Sequence, residues 1–144
     1  MNQRLLFLTP LDRYRDHAPL LLRLLVGVFL IWGTQDNVLS FERMEEFAHF
    51  LAERGTPYPL FSAFLSAYAQ FLCGFLILVG LLTRWAGVVM VIHFGVAIVI
   101  AHLGQDFRGM FPPLILMFTS AYFIVHGAGK LAVDNWLSAR LTRS

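Results

Sequence analysis

Gln70, His93 and Arg23 are hydrogen-bonding side chains set inside long apolar runs. A glutamine amide both donates and accepts, a neutral imidazole does the same, and an arginine fork donates only. Tyr68 and Cys73 flank Gln70 in the same run. These five residues form the candidate set for a bound cofactor or small molecule. The chemistry they offer is a carbonyl oxygen held by donors, or a proton passed between neighbours. No catalytic residue can be named. The sequence has no Gly-rich phosphate loop, no nucleophile elbow and no HExxH pair. The five histidines lack metal-ligand spacing, and His93 and His102 are nine residues apart, half a turn out of phase on a helix. The single cysteine makes neither an internal disulfide nor an iron–sulfur site, so no metal is expected.

The elements that carry these residues follow from composition. Of 144 residues, 58% are hydrophobic and only 14% are charged, where a soluble domain carries about 25% charge. Four apolar runs, about 18–37, 60–82, 85–102 and 111–126, approach the ~20 residues that a bilayer demands. In lipid the backbone must satisfy its own hydrogen bonds, and no period-two alternation suggests a barrel, so the runs predict helices. Thr83-Arg84 reads as a tight turn joining the second and third helices as antiparallel neighbours. Pro19 and the pair Pro112-Pro113 suit the first turns of the first and fourth helices.

Residues 40–54 are different. Phe41, Met44, Phe47, Ala48 and Leu51 share one helical face, while Glu42, Glu45, Glu46, His49 and Glu53 share another. This predicts an amphipathic helix at the membrane interface with a solvated acidic face, Ser40 capping its start and Gly55 ending it. The expected fold is therefore all-α: a four-helix transmembrane bundle in one domain, with an extra amphipathic interfacial helix between the first and second spans.

Orientation follows from charge. Arg4, Arg13, Arg15, Arg84, Lys130, Arg140 and Arg143 fall on one side, against Arg43, Arg54 and Arg108 on the other. The excess of cations puts both termini in the cytoplasm. The net charge of +2 comes from these flanking positions, with no basic cluster on a soluble face, so nucleic acid is not an expected partner. The lipid bilayer is.

Depth then ranks the polar residues, because an ionisable group inside a membrane is a functional candidate. Gln70 lies ~15 Å into the second helix and His93 ~13 Å into the third, near one level on adjacent helices. Such a pair suits the oxygen of a quinone headgroup or a proton relay. Interhelical hydrogen bonding for Gln70 and simple packing for His93 are the plainer alternatives. Ser62, Ser66, Cys73 and Gly80 share the Gln70 arc, a stripe that faces other helices. Arg23 shares a face with Gly27, Leu30 and Thr34. It either snorkels to the headgroups or is buried against a carboxylate, a carbonyl or an anionic ligand. Asp36 and His102 fall near the outer surface and His126 near the inner one.

Four stretches carry a resemblance: RLLVGVFLIWG from Arg23 to Gly33, ERGTPYP from Glu53 to Pro59, FLCGFLILVGLLTRWAG from Phe71 to Gly87, and HGAGKLAVDNWL from His126 to Leu137. Through them the sequence resembles the DoxX family of small four-helix bacterial inner-membrane proteins. The resemblance implies a multi-pass protein of the bacterial inner membrane, and a redox-linked role. Some relatives are subunits of thiosulfate:quinone oxidoreductase and others belong to complexes for oxidative or thiol stress. A quinone is then the implied ligand, with a soluble or membrane redox partner, and a homo-oligomer is also compatible. Relatives often carry a glutamate where this chain has Gln70, and a Lys or His where it has Thr34, Gln35 and Asp36. Gln70 removes the titratable proton and keeps the hydrogen bonds. A non-catalytic scaffold or assembly subunit is the alternative function, and a small transporter ranks last, because four short helices are few for alternating access.

Overall fold

A computed structural model describes residues 8–141. Arg4 and Arg143, counted above for orientation, lie outside the described residues. Every regular element is helical among the described residues. A 3-10 helix, Thr9–His17, leads into α1, Ala18–Leu39. There follow α2, Phe41–Ala52; α3, Pro59–Val79; α4, Thr83–Ala97, prolonged by a π turn at Ile98–His102; α5, Phe107–His126; and a short α6, Val133–Leu141. Four of these helices are long and apolar enough to cross a membrane. The chain is an all-α membrane bundle.

Local chemistry sets the helix ends. Pro19 and Pro59 sit in the first turns of α1 and α3, where a missing N–H leaves nothing unpaired. The Ser40 hydroxyl accepts from the Arg43 backbone N–H at 3.4 Å and so caps α2. The Asp106 carboxylate accepts from the Gly109 N–H at 3.0 Å and starts α5 at Phe107. Pro112 and Pro113 therefore lie inside α5 rather than in its first turn. The capping aspartate recruits the polar residues before the apolar run into the helix.

The turn between α3 and α4 also lies earlier than Thr83-Arg84. Gly80, at φ +74°, ends α3 in the left-handed conformation that a glycine adopts without strain. The Leu81 N–H reaches the Leu76 carbonyl at 2.9 Å and the Gly80 N–H reaches Ile77 at 3.2 Å, the paired bonds of a Schellman close. Thr83 and Arg84 already belong to α4.

Glycines set the packing. A Cβ on Gly27 of α1 would lie 3.0 Å from the Gly74 carbonyl oxygen, and a Cβ on Gly74 of α3 would lie 3.2 Å from the Gly27 oxygen. The two backbones touch there, as small residues allow in membranes. Gly87 of α4 meets Ser120 of α5 in the same way, its imaginary Cβ 2.8 Å from the Ser120 oxygen. Between the α1–α3 and α4–α5 pairs lies a core of Val26, Leu30, Cys73, Ile77, Ala86, Met90, Phe94, Leu116 and Phe123. α2 folds onto the far end of α3, burying Met44, Ala48 and Leu51 against Ala63 and Ala67. Its acidic face is exposed. Large apolar side chains such as Leu21, Phe61, Ile92 and Phe118 point outward from the bundle, as a lipid surround requires.

Candidate functional site

Polar side chains gather at the end of the bundle where α3 hands over to α4 and α5 runs into α6. Arg23 is the centre. It is buried, with 2% of its surface exposed. Its Nε donates to the Ile77 carbonyl at 2.9 Å and its Nη2 to Leu78 at 2.9 Å. Its Nη1 donates to Ala128 at 3.0 Å and to Leu131 at 2.6 Å. Two of these acceptors, Ile77 and Leu78, belong to the last turn of α3, where carbonyls run short of i+4 partners and form the negative end of the helix dipole. The other two lie in the segment after α5. Arg23 thus fastens α1 to the end of α3 and to the chain beyond α5. Of the alternatives for its partner, the carbonyl holds.

Asp134 supports the same turn from the other side. Its Oδ1 accepts from the Leu82 N–H at 2.7 Å and its Oδ2 from the Thr83 N–H at 3.0 Å. Its own N–H donates to the Gly80 carbonyl at 2.9 Å. A carboxylate from α6 therefore caps the start of α4 and complements its positive end. Arg84 does the reverse for α5: its Nη1 donates to the Ile124 carbonyl and, at 2.9 Å, to that of Val125. Lys130 closes the arrangement. Its Nζ pairs with Asp16 Oδ2 at 2.9 Å, and its N–H donates to the Asp16 carbonyl at 3.0 Å. The hydrogen bond and then the charge of Lys130 hold the Asp16 carboxyl below its ordinary value.

This geometry gives the stretch His126–Leu137 a physical reading. Gly129, at φ +79°, lets Asp16 approach; a Cβ there would lie 2.7 Å from the Asp16 oxygen. Ala128 and Leu131 present carbonyls to Arg23, and Asp134 holds the α3–α4 turn. The sequence reading missed Asp134 and the capping role of Arg84. The signal available was that three of the four quoted stretches carry members of this network: Arg23, the Gly80–Arg84 turn, and Lys130 with Asp134. Beside the network opens a cleft of about 590 Å³, walled by Arg84, Trp85, His126, Lys130, Asp134 and Asn135 among others.

The candidate ligand residues sit elsewhere. Gln70 is half-buried, within the α3 stripe that runs through Ala63, Ala67, Gly74 and Ile77. His93 is half-buried at the edge of the α4 stripe, its ring edge-on to Phe94 at 5.1 Å. Counted from the Gly80–Leu82 turn, both lie at comparable depth, within roughly one helical turn of each other. Among the described residues, neither side chain has a hydrogen-bond partner, and no hydrogen bond joins the two. Cys73 is buried in the core, and Tyr68 is 49% exposed, stacked on Phe64 at 6.0 Å. Arg23 stands apart from these four, at the end of the bundle. Asp36 is exposed, the His102 ring bonds the Ala97 carbonyl at 3.0 Å, and the exposed His126 stacks on Tyr122. Among the described residues, no three His, Cys, Asp or Glu side chains gather as metal ligands.

A family model described as DoxX matches residues 18–103, which is more than half of the chain and includes α1 to α4. No curated protein and no solved structure matches it.

Proposed function

The chain belongs to the DoxX family, and from that premise we propose that it is a redox-linked membrane subunit that holds a quinone-like headgroup against α3 and α4. The observation that carries this reading is the pair Gln70 and His93. Both lie at mid-membrane level on neighbouring helices, and the side chains of both lack a hydrogen-bond partner among the described residues. An unpaired amide or imidazole in hydrocarbon costs free energy, so the site favours a ligand that is itself lipid-soluble and carries acceptor oxygens. The Gln70 amide donates to a quinone carbonyl, and the His93 imidazole donates or accepts according to its tautomer. Tyr68 and Cys73 flank this position on α3. Arg23 spends its donors on backbone carbonyls and enters the reading as a support.

Electrons come from a soluble or membrane redox partner, because the chain carries no redox centre of its own in this reading. Membership of the DoxX family supports a bacterial inner-membrane location, and the charge asymmetry of the flanking segments supports both termini being cytoplasmic. Protein purified in mild detergent should retain ubiquinone or menaquinone. Replacing Gln70 and His93 together by leucine should empty it while leaving the helical content intact. Undiminished quinone in the double variant would refute the assignment.

The commitment of Arg23, Arg84 and Asp134 to fastening helix ends favours a second reading, a non-catalytic scaffold for a membrane complex. Under it, quinone is absent from wild type and variant alike, and a partner co-purifies from the membrane.

A further inference from the structure

The cleft beside the Arg23 network has no part in the quinone reading, yet Arg84, Lys130 and His126 line it together with the already bonded carboxylates of Asp16 and Asp134. Among the described residues, only one edge of the Arg84 guanidinium is used, because Nη1 makes both bonds to α5 carbonyls. The Nε and Nη2 edge has no acceptor among the described residues. That edge lies over Gly127, where even a Cβ would come within 3.3 Å of Nε and 3.4 Å of Nη2. Gly127, at φ +81°, puts no side chain against that edge. A Nε–Nη2 edge with its donors unspent is the geometry that takes a phosphate or carboxylate with two parallel bonds.

The neighbouring charges do not occupy it. Asp134 has an N–H on each oxygen, and Asp16 is held by Lys130. His126 adds an exposed imidazole to the same wall. The volume of about 590 Å³ is in the range of small-molecule sites, roughly 300–1,000 Å³. Position narrows the class of ligand. Arg84 is the second residue of a membrane-spanning helix, Trp85 is exposed next to it, and Trp136 is exposed on α6. Tryptophans of this kind sit at headgroup level. At that level the phosphates of lipids are the concentrated anions.

We propose that this cleft binds the phosphate-bearing headgroup of an anionic lipid, with the free edge of Arg84 as its anchor and His126 and Lys130 beside it. The site is distinct from Gln70 and His93, and stands whether or not a quinone binds there.

The test is native mass spectrometry of the full chain, delipidated in detergent and then given phosphatidylglycerol, phosphatidylcholine or inorganic phosphate. Wild type should retain phosphatidylglycerol roughly tenfold better than phosphatidylcholine, and inorganic phosphate should not displace it. Arg84→Gln should lose that preference, since a charge-assisted pair is worth about tenfold or more. Because Arg84 also caps α5, Asn135→Glu serves as the second variant: it places a negative charge in the cleft wall without touching Arg84. It should weaken phosphatidylglycerol by a similar factor with the helix content unchanged. Equal retention of the two lipids, or an undiminished preference in Asn135→Glu, overturns the proposal. Displacement by inorganic phosphate overturns the lipid source and assigns the cleft to a soluble phosphate.

Discussion

Gly80 and Arg23 fit together so closely that a Cβ on Gly80 would lie 2.5 Å from Arg23 Nη2 and 2.6 Å from Cζ. The same Cβ would lie 2.7 Å from the Ala132 side chain. The glycine is required twice, once for its φ of +74° and once for the space taken by the guanidinium. Gly80→Ala is therefore expected to destabilise the bundle by about 1–3 kcal/mol. Thermal unfolding in detergent should show it. Gly33→Ala is the control: among the described residues nothing outside its own stretch of helix lies within 4 Å of a Cβ there, and alanine is the better helix former by roughly 1 kcal/mol.

Arg23→Met removes the four donors that join α1 to α3 and to the segment after α5. Hydrogen bonds to a charged group contribute about 1.5–3 kcal/mol each, and two of the four, to Ile77 and Ala128, are buried. A loss of at least about 3 kcal/mol is expected, with protease cleavage appearing first between Gly127 and Asp134. Arg23→Lys should rescue little, since an ammonium cannot span acceptors on two segments as the fork does. A variant as protease-resistant as wild type would remove Arg23 from this role.

Asp134→Asn keeps one oxygen acceptor and loses the charge at the start of α4. The expected cost is about 1 kcal/mol, the usual worth of an N-cap and its dipole interaction. Hydrogen exchange should rise at the Leu82 and Thr83 amides and stay unchanged at Gly109, which has its own cap in Asp106.

The Asp16–Lys130 pair predicts a pH effect with a definite sign. Lys130 lowers the carboxyl below its ordinary value of 3.8 in the folded protein. A depressed folded-state pKa stabilises at pH above the unfolded value and is lost as pH falls through the folded one. The melting difference between wild type and Lys130→Met should be present at neutral pH and close below about 3.8. Both groups are exposed, so the effect is small. A gap that widens in acid would contradict the assignment.

These residues show what a sequence does and does not disclose. The four apolar runs and the amphipathic α2 were legible because bilayer length and helical periodicity are local properties. Arg23 was legible as an anomaly. Its partners were not, because they are backbone carbonyls 54 to 108 positions away, and every residue has a carbonyl. The α3–α4 turn was displaced by three residues because Gly80, read as part of a small-residue stripe, is the left-handed end of α3. Pro112 and Pro113 misled as helix starts because the Asp106 cap lies outside the apolar run. Gln70 and His93 were placed on adjacent helices by the short turn between them. That turn makes α3 and α4 neighbours, whereas the close glycine contact of Gly27 with Gly74 pairs α3 with α1. Such shape matching is a property of two surfaces and cannot be read from either alone.

The most direct measurement is a titration of the purified protein with a short-chain quinone, comparing wild type with the double variant Gln70→Leu, His93→Leu. Saturable binding by wild type, weakened about tenfold or more in the double variant at an unchanged melting temperature, is the predicted result. Equal binding by both proteins, or no saturable binding by wild type, would contradict it.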